Sequence, residues 1–163
     1  MRVLTDSIGC DGKVVWSPDS TRIGYLDFNV GPAVVEIAGG TPTPLTTPRN
    51  MGWAMSWAPG GNELAFADYI GTGNRLSIAR ADGRGVRTIA GGAVAPDWAP
   101  DGRRIAFIGN RSPDRTGQLL TSLYVIDAGG GGERLVVTDT RSTHVDMPAW
   151  APDSTRIAFS YVA

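Results

Sequence analysis

Large and small apolar residues alternate in four short stretches of this chain: Ile23-Gly24-Tyr25, Leu64-Ala65-Phe66, Ile105-Ala106-Phe107 and Ile157-Ala158-Phe159. A period of two marks a strand with two distinct faces. One face carries the bulky side chains, and the other is flat enough for a neighbouring sheet to approach closely. Each stretch follows a tryptophan and a turn signal, so a ten-residue frame recurs. It reads W-S-P-D-S-T-R-I-G-Y from Trp16, W-A-P-G-G-N-E-L-A-F from Trp57, W-A-P-D-G-R-R-I-A-F from Trp98 and W-A-P-D-S-T-R-I-A-F from Trp150. Successive frames begin 41, 41 and 52 residues apart, a spacing that signals a repeat architecture.

Within the frame, tryptophan is expected to end one strand and a turn to follow at once. Pro18, Pro59, Pro100 and Pro152 suit the second position of a type I turn, because the ring presets φ. Asp19, Asp101 and Asp153 come next, where a carboxylate can accept nearby backbone N–H groups. Gly61 and Gly102 then supply a left-handed residue that closes a bulged hairpin, and Ser20 and Ser154 hold that place less comfortably. Gly60 replaces the aspartate in the second frame, so that turn should be held less well. Trp16, Trp57, Trp98 and Trp150 are all expected between sheets, each burial contributing roughly 1.5–3 kcal/mol.

Two further strands follow each hairpin. Third strands are expected over 33–37, 75–78 and 122–126, each ending in a glycine-containing turn, and fourth strands around 45–46, 86–89 and 133–137. Four short antiparallel strands per unit of about 40–45 residues is the pattern of a β-propeller blade. Leu4-Thr5 precedes Trp16 by the same interval that separates Leu45-Thr46 from Trp57. The expected fold is therefore all-β: a propeller of about four blades, three complete and one incomplete. Residues 1–6 form an outer strand, 7–47 the first blade, 48–90 the second, 91–139 the third, and 140–163 the first two strands of a fourth.

The W-[SA]-P-[DG]-[SG]-x-x-[IL]-[AG]-[FY] frame, with the later L-Y-V-I-D-A-G-G strand from Leu123 to Gly130, resembles the WD40-like propeller repeat of the TolB family. The resemblance covers nearly the whole chain. In the TolB family such repeats form a six-bladed propeller that acts in the Tol–Pal envelope system; for this chain the resemblance implies the propeller scaffold and, for a fragment, a bacterial periplasmic or secreted setting. Similar blades occur in the propellers of prolyl-oligopeptidase-type peptidases. The resemblance carries over the scaffold and assigns no binding residue.

Composition narrows the function. A formal net charge of −1 and the lack of a basic stripe exclude nucleic acid as an expected partner. No apolar run reaches membrane-spanning length, and residues 1–10 do not read as an export signal. Cys10 is the single cysteine and has no partner for a disulfide. His144 is the single histidine, and no G-x-S-x-G nucleophile elbow accompanies it. One histidine and one cysteine are too few for a zinc site, and the turn role of the aspartates accounts for them without calcium. No cofactor, metal or catalytic residue is expected.

Closure poses a problem. The fourth blade lacks its third strand, and an N-terminal fourth strand paired directly with its second would run parallel and break the antiparallel ladder. The chain is expected as part of a larger propeller, as half of a homodimeric ring, or as an incomplete four-bladed ring. The edge after Ala158 calls for a covering partner, since bare edges aggregate. Two long loops, 109–121 and 138–147, are expected side by side on one face, holding Arg111, Asp114, Arg115, Arg141, His144 and Asp146. Loops on a rigid scaffold often carry recognition. Trp53, the one tryptophan outside the frame, is expected on or near the same face as a core residue or an aromatic anchor. The expected function is a non-catalytic protein-interaction scaffold, with a protein partner or self-association. The alternative is the propeller segment of a prolyl-oligopeptidase-type peptidase.

Overall fold

In a computed structural model, the described residues are 14–27, 30–46, 54–69, 71, 73–113, 119–138 and 144–162. They form strands and turns, with no helix among them. The first sheet joins β1 (Val15–Trp16), β2 (Arg22–Asp27), β3 (Gly31–Glu36) and β4 (Thr43–Pro44) in sequence order. The second joins β5 (Met55–Trp57), β6 (Glu63–Tyr69), β7 (Asn74–Arg80) and β8 (Arg87–Gly91). The third joins β9 (Ala93–Trp98), β10 (Arg104–Pro113), β11 (Leu119–Asp127) and β12 (Arg134–Thr138). β13 (His144–Trp150) and β14 (Ile157–Val162) pair alone. Every pairing is antiparallel. Among the described residues the fold is thus three complete four-stranded blades and one of two strands.

Turn chemistry sets the hairpin that opens each blade. The four tryptophans end β1, β5, β9 and β13, and stand opposite Ile23, Leu64, Ile105 and Ile157. In each turn the N–H of Ser20, Gly61, Gly102 or Ser154 donates to the carbonyl of Ser17, Ala58, Ala99 or Ala151 at 2.9 Å. Those four donors have φ of +58°, +71°, +75° and +58°, so both serines do occupy the left-handed conformation. The aspartates behave as their position predicts: Oδ1 of Asp19, Asp101 and Asp153 accepts the N–H two residues on at 2.9–3.0 Å. Gly60 offers the second turn no such acceptor.

Alternation along the second strand of each blade decides the packing between blades. Leu64 and Phe66 point back to Leu26 and Val34 of the first blade, while Ala65, between them, joins Ile105, Phe107 and Trp98 of the third. Ala106 and Ile108 in turn face Trp150 and Ile157 of the fourth. The flat face is needed: a Cβ on Gly24 would lie 2.7 Å from Met55 Sδ and 2.9 Å from Leu64 Cδ2 in the next blade. Farther out, the turn after β7 covers the preceding blade's fourth strand, so closely that a Cβ on Gly83 would meet the Pro44 carbonyl oxygen at 2.5 Å.

Three expectations need correction. Trp16 is 58% exposed, against 8% for Trp57 and 7% for Trp98, because no described blade precedes its own. The first blade's fourth strand is Thr43–Pro44, not 45–46; Leu45 lies just beyond it, fully buried, its N–H on the Pro32 carbonyl at 2.8 Å. The segments 109–121 and 138–147 are not simply loops, since β10 extends to Pro113, β11 starts at Leu119 and β13 starts at His144. The outer strand expected over 1–6 lies outside the described residues.

Candidate functional site

Of the residues singled out for recognition, Trp53, Asp114, Arg115 and Arg141 lie outside the described residues. Arg111 falls on β10, between Asn110 and Ser112, where the pairing with β11 shifts register. His144 stands opposite Val162 and Asp146 opposite Ser160 in the last hairpin. The side chains of Arg111, His144 and Asp146 are not among those described. The strands bearing them, β10 and β13, pack against each other.

The described surface offers a different feature. A groove of about 390 Å³ opens between the outer half of the third blade and the last hairpin. Leu123, Leu135, Val136, Trp150, Ile157 and Phe159 line it, with Arg104 and Arg134 as its cations. Leu135 and Val136 on β12 are 54% and 44% exposed. The comparable bulged residue of the second blade, Ile89, packs instead against the next blade's core and its Gly130 turn. Among the described residues no strand packs over this position of the third blade as the third blade packs over Ile89. The L-V-V run at 135–137 was a visible signal for it; its exposure was not.

One floor of the groove is fixed by an inter-blade clamp. The Arg104 guanidinium lies 4.8 Å from the Trp150 ring centroid and donates through Nη2 to the Ser154 carbonyl at 2.9 Å. Its other oxygen partner is Asp101 Oδ2 at 3.2 Å. Arg22 makes the same set two junctions earlier, over Trp57 at 5.1 Å and on the Gly61 carbonyl at 2.8 Å. At the middle junction the frame has Glu63, which binds Arg87 at 2.7 Å, and Arg87 reaches the Ala128 carbonyl at 3.4 Å. Arg156, the fourth copy, has Asp153 as partner at 3.3 Å, and its side chain is 81% exposed.

Buried polar groups serve the blades. Asp68 is held by Arg75 through two bonds of 2.8 and 3.0 Å and receives the Ser77 hydroxyl at 3.4 Å. The same carboxylate holds the Arg75 pKa above its ordinary value, hydrogen bonding outweighing burial. Asp97 Oδ2 accepts the Trp150 backbone N–H at 2.6 Å. The turn carboxylates are shifted down: Asp19 chiefly by the Ser17 hydroxyl, Asp101 by the Arg103 N–H and Asp153 by the Thr155 N–H. No group of three or more metal-ligating side chains occurs among the described residues.

Comparison with known proteins adds the following. No protein-family model matches the chain. Over 120 residues it is 34% identical to dipeptidyl-peptidase 5 of Porphyromonas gingivalis, covering 64% of this chain and 17% of that protein. The chain thus spans about a sixth of that relative's length. Among solved structures, a TolB described as putative, from Agrobacterium tumefaciens, superposes with a TM-score of 0.77 at 20% identity, over 99% of this chain and 62% of that one. TolB from Acinetobacter baumannii gives 0.68 at 20% identity, over 91% and 37%. Antiparallel blades in sequence order, tryptophan hairpins and these superpositions agree: the chain folds as TolB-like β-propeller blades.

Proposed function

We propose that this chain is a non-catalytic protein-interaction scaffold. One observation carries the reading: the buried hydroxyl and carboxylate side chains are engaged in bonds within a blade or between neighbouring blades. Ser17, Asp27, Asp68, Ser77, Ser122 and Ser154, the buried polar residues among those described, all hydrogen-bond within or between neighbouring blades. Catalytic groups, by contrast, are commonly held in clefts with strained or shifted titration. The polar segments bearing Arg111, Asp114, Arg115, Arg141, His144 and Asp146, with Trp53, form the recognition face in this proposal. A chain changed at Arg115→Ala and Arg141→Ala should keep its melting temperature and bind a partner more weakly. Unchanged binding removes that face from the proposal.

The 34% identity to a dipeptidyl-peptidase supports a second reading, in which the chain is a propeller segment of a larger peptidase. Incubation with chromogenic dipeptide substrates separates the two. The scaffold reading expects no turnover above buffer; turnover that survives repurification overturns it.

A further inference from the structure

Each hairpin meets the blade before it through the tryptophan that ends its first strand. The N–H of Ala58, Ala99 and Ala151 donates to the carbonyl of Glu63, Arg104 and Arg156 in the same blade at 2.8–2.9 Å. Bonded and open positions alternate along an antiparallel strand. Trp57, Trp98 and Trp150, one position earlier, therefore turn their main-chain N–H away from their own second strand. Each tryptophan brings two donors to the junction, that N–H and the indole Nε1–H, and buried donors need acceptors.

The preceding blade answers in two ways. At the second junction Ser56 Oγ accepts the Trp98 main-chain N–H at 2.9 Å, and at the third Asp97 Oδ2 accepts that of Trp150 at 2.6 Å. The indole Nε1 of Trp98 and of Trp150 is buried and has no acceptor among the described residues. At the first junction the same position is Val15, whose side chain accepts nothing. There the Val15 carbonyl accepts the Trp57 indole N–H at 3.1 Å. Val15, Ser56 and Asp97 are equivalent, since each stands opposite the frame's small residue, Gly24, Ala65 or Ala106. The arginine clamp does not explain the split, because Trp57 and Trp150 both carry it and use different donors.

We infer that these junctions are two-position latches, and that the residue before the framing tryptophan sets the position. A hydroxyl or carboxylate there takes the next blade's main-chain N–H and leaves the indole without it. An apolar residue offers only its carbonyl and takes the indole. The two donors sit at opposite ends of one tryptophan, so each choice seats the next hairpin differently on the preceding strand. The first junction is in the indole position, and the second and third are in the main-chain position. One side chain per junction thus fixes the setting between adjacent blades, and a single substitution moves it.

Proton–nitrogen NMR of the whole chain reads both donors, with Trp57→Phe and Trp98→Phe assigning the indole signals. Ser56→Val should move the Trp98 indole proton downfield, as a new hydrogen bond does. It should also speed exchange of the Trp98 main-chain amide about three- to tenfold, the scale of one hydrogen bond. Ser56→Thr, which keeps the hydroxyl, should change neither. Val15→Ser is the converse: the Trp57 indole proton should move upfield and the Trp57 main-chain amide should exchange more slowly. That variant removes no acceptor, so it decides the matter where Ser56→Val fails to fold. Backbone bulges, in which Ala95 and Met147 take φ of +48° and +49° before Pro96 and Pro148, follow the same split. Ser56→Val leaves Pro96 in place and separates the two causes. An indole proton unmoved in folded Ser56→Val or in Val15→Ser overturns the latch, and so does a Trp98 indole that answers to Pro96→Ala alone.

Discussion

Arg104 and Trp150 belong to different blades and are joined face to face, guanidinium over indole at 4.8 Å. With the bond to the Ser154 carbonyl, one arginine positions both the tryptophan and the turn of the next hairpin. Arg104→Ala should cost about 1–3 kcal/mol from the lost cation–π contact and hydrogen bond. Arg104→Lys should recover only part, since an ammonium cannot both stack and reach in the same way. Urea midpoints of the three proteins check this.

Trp98 and Trp16 occupy the same frame position in unlike surroundings. Trp98→Ala should destabilise by about 3–5 kcal/mol, as for a large buried aromatic. Trp16→Ala, at a mostly exposed indole, should shift stability by less than about 1 kcal/mol. Equal shifts in denaturant midpoint would contradict the difference in burial.

Ser20 and Ser154 share φ of +58°, a conformation that penalises a Cβ. Ser20→Gly should stabilise by up to about 1 kcal/mol, the relief of that penalty less glycine's chain entropy. Ser154→Gly should gain less or lose, because the Ser154 hydroxyl accepts the Asp101 N–H at 2.9 Å across the junction. Calorimetry on the pair reads the difference.

Gly60 is where the second turn lacks its carboxylate. No neighbouring atom lies within 4 Å of a Cβ placed there. Gly60→Asp should restore the acceptor for the N–H two residues on and stiffen the unfolded chain, for a gain of about 0.5–1.5 kcal/mol. A midpoint that falls would show that this turn differs from its three relatives.

The native turn carboxylates make stability depend on acid. Asp19, Asp101 and Asp153 titrate below the ordinary aspartate value of about 3.9. The folded chain then binds fewer protons than the unfolded one in that range, so stability rises with pH there. The contribution is complete above the unfolded value and is lost as pH falls through the folded ones. Because these groups are exposed the effect is small. Carboxyl-carbon NMR titration should place all three midpoints below the ordinary value.

How far the sequence foretold this follows from the range of each interaction. The hairpins were legible because Pro, Asp and a left-handed residue act within five positions of one another. The flat face at Gly24 was legible from alternation alone. The arginine clamp was not, because Arg22 meets Gly61 39 residues away and Arg104 meets Ser154 50 away. Nor was the exposure of Trp16, which depends on what stands before its blade. The groove escaped notice for a related reason: Leu135 and Val136 look like any fourth strand, and their exposure depends on what packs against the third blade. Of the seven recognition residues, Trp53, Asp114, Arg115 and Arg141 lie outside the described residues.

Ala158 is exposed where Ala65 and Ala106 are sealed. Each sheet leans only on its immediate neighbours, so cohesion is a sum of adjoining seams; among the described residues the first sheet and the two-stranded last one have one seam each, and the second and third have two. Amide protons should therefore trade with deuterium soonest along Ile157–Val162 and last in the second and third sheets. The molecule would come apart as a fan does, from its outermost leaf inward.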